Sequence, residues 1–92
     1  MTGVVAVWLK IDPGRVSEGL QEALAHLDSA DGELLLDFSA VSRLNPEALI
    51  ALHQLANAAE AKGARVVLRG ANVDVYTVIK LARLAPRFRF VS

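Results

Sequence analysis

The stretch LLLDFSAVSRLNPEALIALHQLANAAEAKGARVVLR, residues 34–69, carries a strand, a helix and a second strand in order, and its reading decides the fold. Leu34-Leu35-Leu36-Asp37-Phe38 is apolar at nearly every position, where a strand with one wet face would alternate. Such a run fits a strand buried on both faces, the pattern of a parallel sheet. Asn45 then offers a side-chain oxygen to the first free N–H groups of a helix, and Pro46 brings a pre-set φ to the first helical position. Glu47 suits the positive end of the helix dipole. The helix runs to Lys62, and Gly63 sits where a left-handed cap belongs. Arg65-Val66-Val67-Leu68-Arg69 reads as the next strand.

Within this helix, one residue turns about 100°. With Leu52 at the centre, Ala48, Leu49, Leu55, Ala56 and Ala59 form a core-facing stripe, and small alanines let the helix sit close to the sheet. Ile50 falls at about 160° from Leu52, among Glu47, Gln54, Asn57 and Ala61 on the outer face. An isoleucine among small polar residues near a helix start is a candidate interface anchor, although a lone exposed apolar side chain is also ordinary surface.

Working outward, Val4-Val5-Ala6-Val7-Trp8-Leu9 is a strand leading to Lys10, and Asp12-Pro13 is expected to cap the first helix. Val16, Leu20, Ala23, Leu24 and Leu27 give that helix its apolar face. Ser29-Ala30-Asp31-Gly32 ends it. Downstream, Asn72 caps a third helix with Val75, Val78, Ile79 and Ala82 on one side. Arg87–Val91 alternates charge with aromatic residues, as an edge strand with one wet face does. The order β-α-β-α-β-α-β with short connections predicts one α/β domain over residues 1–92, with right-handed crossovers and a largely parallel sheet.

Composition narrows the function. The 92 residues are 53% hydrophobic, enough for one compact core, and contain no cysteine, so thiolate chemistry is absent. No apolar run approaches the ~20 residues of a membrane span, and no signal sequence is evident, so a soluble cytoplasmic protein is expected. The formal net charge of zero hides an asymmetry. Lys10, Arg15 and Arg43 face nine acids up to residue 61, whereas seven cations face Asp74 alone beyond it. These cations alternate with core-type residues and have no aromatic stacking platform, which speaks for a solvated surface and against nucleic acid.

Catalytic material is thin. His26 and His53 lie on separate helices without metal-ligand spacing. Ser39, His53 and Asp37 make a triad only on paper, with neither a strained nucleophile turn nor an oxyanion hole. Arg69-Gly70-Ala71-Asn72 leads into a helix N-terminus, a place where anions bind, yet a tight strand-to-helix turn explains it equally. No enzyme, metal or cofactor is expected.

The segment Leu34–Ser92 resembles the STAS domain, the fold of bacterial anti-sigma factor antagonists. LLLDFSAVSRL looks like the family's apolar strand ending in Asp. NPEALIALHQLANAAEAKG sits where the family has Asp-Ser-Ser-Gly-Leu and a helix ending in glycine. ARVVLRGANVDV is similar to the next strand and its turn, and VIKLARLAPRFRFV to the last helix and strand. The resemblance implies a single-domain STAS-like α/β sandwich with a mostly parallel or mixed sheet of about four strands. The family usually has a pair of strands before its first helix, and only Val4–Lys10 is clear here, which implies a sheet trimmed by one strand.

The same resemblance sets Asn45 at the family's Asp, Pro46 at the serine that accepts phosphate, Glu47 at the second serine and Ala48 at the glycine. Proline has no hydroxyl, so the usual phosphate switch has no acceptor. Either Glu47 supplies a fixed negative charge or the domain binds constitutively. Ser39 and Ser42 are weak alternative phosphosites. The implied function is a non-enzymatic signalling module whose contacts are Ser42, Arg43, Asn45, Glu47, Ile50 and Gln54. Its partner would be a cytoplasmic protein such as an anti-sigma factor or a kinase-like regulator. The alternatives are a scaffold subunit of a lipid transport or stressosome-like assembly, and a nucleotide- or small-molecule-sensing domain. A homo-oligomer stays open.

Overall fold

A computed structural model describes residues 7–27 and 32–91. Four strands, β1 (Val7–Lys10), β2 (Glu33–Asp37), β3 (Arg65–Arg69) and β4 (Arg89–Val91), form one sheet in the order β1-β2-β3-β4. Among the described residues every pairing is parallel. Helices α1 (Val16–His26), α2 (Pro46–Lys62) and α3 (Val73–Leu81) make the three crossovers. Each crossover steps to the next strand in the same direction, and right-handed connections then place all three helices on one side. The core lies between that helical layer and one face of the sheet. Leu34, Leu36, Val66 and Leu68 meet Leu20, Leu52, Leu55 and Ile79 there. The expected start of β1 at residues 4–6, any strand before it and residues 29–31 of the expected turn lie outside the described residues.

Several expectations change. The apolar run predicts a β2 buried on both faces, yet Leu35 is only half-buried, because no helix crosses its side of the sheet among the described residues. Asp12-Pro13 does not cap α1. The Asp12 carboxylate accepts the Gly14 N–H at 2.8 Å and its carbonyl accepts the Arg15 N–H at 3.0 Å, which makes Asp12–Arg15 a β-turn with proline at its second position. The helix begins after Arg15, which supplies no side-chain cap. Along α1, Val16, Leu20, Ala23 and Leu27 are buried and Leu24 is half-buried. Along α2, Leu49 is half-buried and Ala51 is buried in its place, because α1 covers that flank. Ala82 is exposed, and the buried residue after α3 is Leu84. Residues Ala85–Arg87 form a 3-10 turn, so the last strand is shorter than Arg87–Val91.

The caps of α2 match expectation. Asn45 Oδ1 accepts the Ala48 N–H at 2.8 Å. At the other end Gly63 has φ 68°, its N–H reaches the Glu60 carbonyl, and the Ala64 N–H reaches that of Ala59. This pair of bonds is a Schellman motif, which satisfies carbonyls the helix end would otherwise leave open.

Candidate functional site

The C-terminal ends of the parallel strands feed the loops that precede α2 and α3. Asp37, the last residue of β2, is the one buried charged residue among those described. Its Oδ1 accepts the Ser39 N–H at 2.9 Å, and its Oδ2 lies 3.9 Å from Arg69 Nη1. Hydrogen bonds from the Ser39 hydroxyl and main chain hold the Asp37 carboxyl below its ordinary range. Burial opposes this, while Arg69 and Lys10 add to it.

The loop that follows is pinned from several sides. Phe38 and Val41 are buried, and the Phe38 N–H donates to the Arg69 carbonyl at 2.8 Å, extending the ladder one step. Gly70, at φ 73°, passes so close that a Cβ there would lie 3.0 Å from Ser39 Cβ. Asn72 Oδ1 accepts the Val75 N–H at 2.7 Å, while its Nδ2 donates to the carbonyls of Val41 and Ser42, each at 3.3 Å. One side chain thus caps α3 and holds the loop ahead of α2. Ser42 and Arg43 are left facing solvent on this fixed backbone, and Ser39 is exposed with its hydroxyl turned to Asp37.

The first turn of α2 stands in the open. Asn45, Pro46 and Glu47 are all exposed, and Pro46 occupies the first helical position. Ile50 is 60% exposed and forms a crest between two depressions. Toward α3, an apolar depression of about 370 Å³ is lined by Leu49, Ile50, His53 and Leu84. Toward α1, a more polar one is lined by Ser17, Gln21, Glu47 and Gln54. Farther along α2 the outer face is occupied. Arg87 donates to both carboxylate oxygens of Glu60 at 2.8 and 2.9 Å and to Asn57 Oδ1 at 2.6 Å. Among the described residues, the first half of the helix keeps its outer face open.

Ser42, Arg43, Asn45, Glu47, Ile50 and Gln54 are all exposed, along the loop and the first half of α2. The structure does not assemble a triad. Asp37 is engaged with Ser39 N–H and Arg69, while His53 lies along the α2–α3 depression and makes no hydrogen bond to either triad candidate among the described residues. No group of His, Cys, Asp or Glu that could hold a metal occurs among them. No helix there is long and apolar enough to cross a membrane. Two residues do more than their sequence context predicts. Asn72 is predictable only as a cap, since nothing in local spacing reveals a contact 30 residues away. The alternation of charge and aromatic residues predicts a strand at Arg87, but it lies in the 3-10 turn that the Pro86 beside it signals.

Residues 2–89 match a family model described as "Mlab, STAS domain". No match is found among curated proteins. Among solved structures, the crystal structure of a candidate anti-sigma factor antagonist from Thermotoga maritima superposes with a TM-score of 0.75. It covers 95% of this chain and 79% of that one at 14% identity. An NMR structure of the same protein gives 0.74 over 95% of this chain and 74% of that one, at 15% identity. At such identity the likeness to these structures is one of fold.

Proposed function

The chain belongs to the STAS domain family, and from that membership we propose that it is a non-enzymatic interaction module of the anti-sigma factor antagonist type. It binds a cytoplasmic regulatory protein through the 39–44 loop and the first half of α2, and by occupying that regulator it frees whatever the regulator was holding. The observation that carries this reading is an exposed helix start with proline at its first position and Ile50 open beside it. A surface of this kind can dock a partner, yet it offers no hydroxyl for phosphate at residue 46. Constitutive docking follows. Glu47 is exposed and engaged in none of the ion pairs seen among the described residues, so its single charge is available to a partner, one residue away from where a phosphate would stand.

The test is co-purification from the native host with wild-type protein and Ile50→Asp. A sigma-regulatory protein retained by the wild type and lost with the variant supports the reading. Equal retention by both removes this surface from consideration. A second reading, a scaffold subunit of a larger assembly, is favoured by the matched family description, which names Mlab and not the antagonists. An ATPase or a permease as the main co-purifying protein would select it. A melting temperature raised by nucleotide would instead select a sensing domain, because a ligand that binds only the folded state stabilises it.

A further inference from the structure

All-parallel sheets are found almost only where both faces are covered, and here one face carries no helix among the described residues. That face is not built for water. Trp8, Leu35 and Val67 stand side by side in register across three strands, and Arg89 continues the row on β4. Trp8 is 62% exposed, Leu35 is half-buried, and Val67 is buried without belonging to the helix-covered core. The neighbouring row holds Lys10, Asp37 and Arg69, and on the other side Glu33 pairs in register with Arg65. Four cations thus share the face with Glu33 and the buried Asp37, around a central apolar strip.

We propose that this sheet face docks an acidic amphipathic helix of a partner protein, with apolar side chains on Trp8 and Leu35 and carboxylates against Arg65, Arg89 and Lys10. The surplus positive charge selects an acidic partner and disfavours a second copy, since two such faces would bring like charges together. The interleaved Glu33 disfavours an anionic lipid surface, whose charge has a single sign, and fits a polypeptide whose charges occupy fixed places. The site is separate from Ile50, which sits on a helix packed against the opposite face, and it does not depend on the reading given for α2.

Trp8 is the sole tryptophan in the sequence and reports directly on this face. The probe is a synthetic helix-forming peptide with leucines along one side bordered by glutamates, compared with the same peptide carrying lysines for glutamates and with vesicles of phosphatidylglycerol. The acidic peptide is expected to shift Trp8 emission to shorter wavelength, saturably, and to bind less tightly as salt rises. A Lys10→Glu/Arg89→Glu double variant, with wild-type circular dichroism, should bind about tenfold more weakly. Ile50→Asp should bind as wild type does. Equal binding of both peptides, or of neither, overturns the proposal. So does a shift with vesicles alone, a shift produced by concentrating the protein alone, or loss of binding in Ile50→Asp with retention in the double variant.

Discussion

Asn72 Nδ2 donates to the main-chain carbonyl of Ser42 at 3.3 Å, tying the start of α3 to the loop that leads into α2. The same side chain accepts the Val75 N–H through Oδ1. The donors and the acceptor of one amide therefore serve two elements, and the two roles can be separated by substitution.

Asn72→Asp keeps an acceptor for the cap but loses the donors to Val41 and Ser42. It should leave α3 intact and speed amide hydrogen exchange in residues 41–45. Asn72→Ala removes both roles and should cost about 1–2 kcal/mol from the cap alone. In a domain of this size that lowers the melting temperature by about 4–8 °C per kcal/mol. Equal exchange in the Asp variant and the wild type would show that the Nδ2 bonds do not hold the loop.

Asp37 predicts an acid limb in stability. Its carboxyl is depressed on folding, first by the Ser39 hydroxyl and main-chain N–H. A depressed carboxyl stabilises fully above its unfolded-chain value, about 3.9, and its contribution fades as pH falls through the lower folded value. Glu18 and Glu60 are also lowered, by Arg15 and Arg87, so the wild type should lose stability steadily in this range. Asp37→Asn should start less stable at neutral pH and fall less steeply below about pH 4. Urea midpoints from neutral to acid pH measure both slopes, and parallel curves would assign the effect elsewhere.

Gly70 and Gly63 make a matched pair. Both have left-handed φ, 73° and 68°, but a Cβ at Gly70 would meet Ser39 whereas one at Gly63 meets nothing within 4 Å. Gly63→Ala should cost about 1 kcal/mol, the backbone penalty alone. Gly70→Ala should cost more, about 2–3 kcal/mol, because strain and a displaced Ser39 add to it. Equal denaturation midpoints for the two variants would mean that the close approach at Ser39 relaxes freely.

Pro46 sets the expectation for phosphorylation. Incubated with a serine kinase of the anti-sigma type, the wild-type chain should show no mass increase, and Pro46→Ser should become a substrate at this exposed first turn. Phosphate found on wild-type Ser39 or Ser42 would show that the switch has moved along the loop instead of being lost.

Much of this protein was legible in one dimension, for a local reason. The cap at Asn45, the proline after it, the left-handed Gly63 and the cap at Asn72 depend on bonds spanning three to five residues, so residue type and spacing alone place the ends of α2 and the start of α3. The exposure of Pro46 and Ile50 follows from helical phase. Locality is not always decisive. The Asp12 carboxylate can cap a helix or close a turn, and Pro13-Gly14 made it a turn.

Tertiary structure decided the rest. Leu34, Leu35 and Leu36 are alike in sequence, and only the common side taken by all three crossovers leaves Leu35 outside the helix-covered core. The Asn72 clamp, the hold of Arg87 on Glu60 and the depressions beside Ile50 join segments about 30 residues apart, where no periodicity connects them. Hydropathy tells how apolar a strand is. Which of its faces is covered depends on the path the chain takes afterwards.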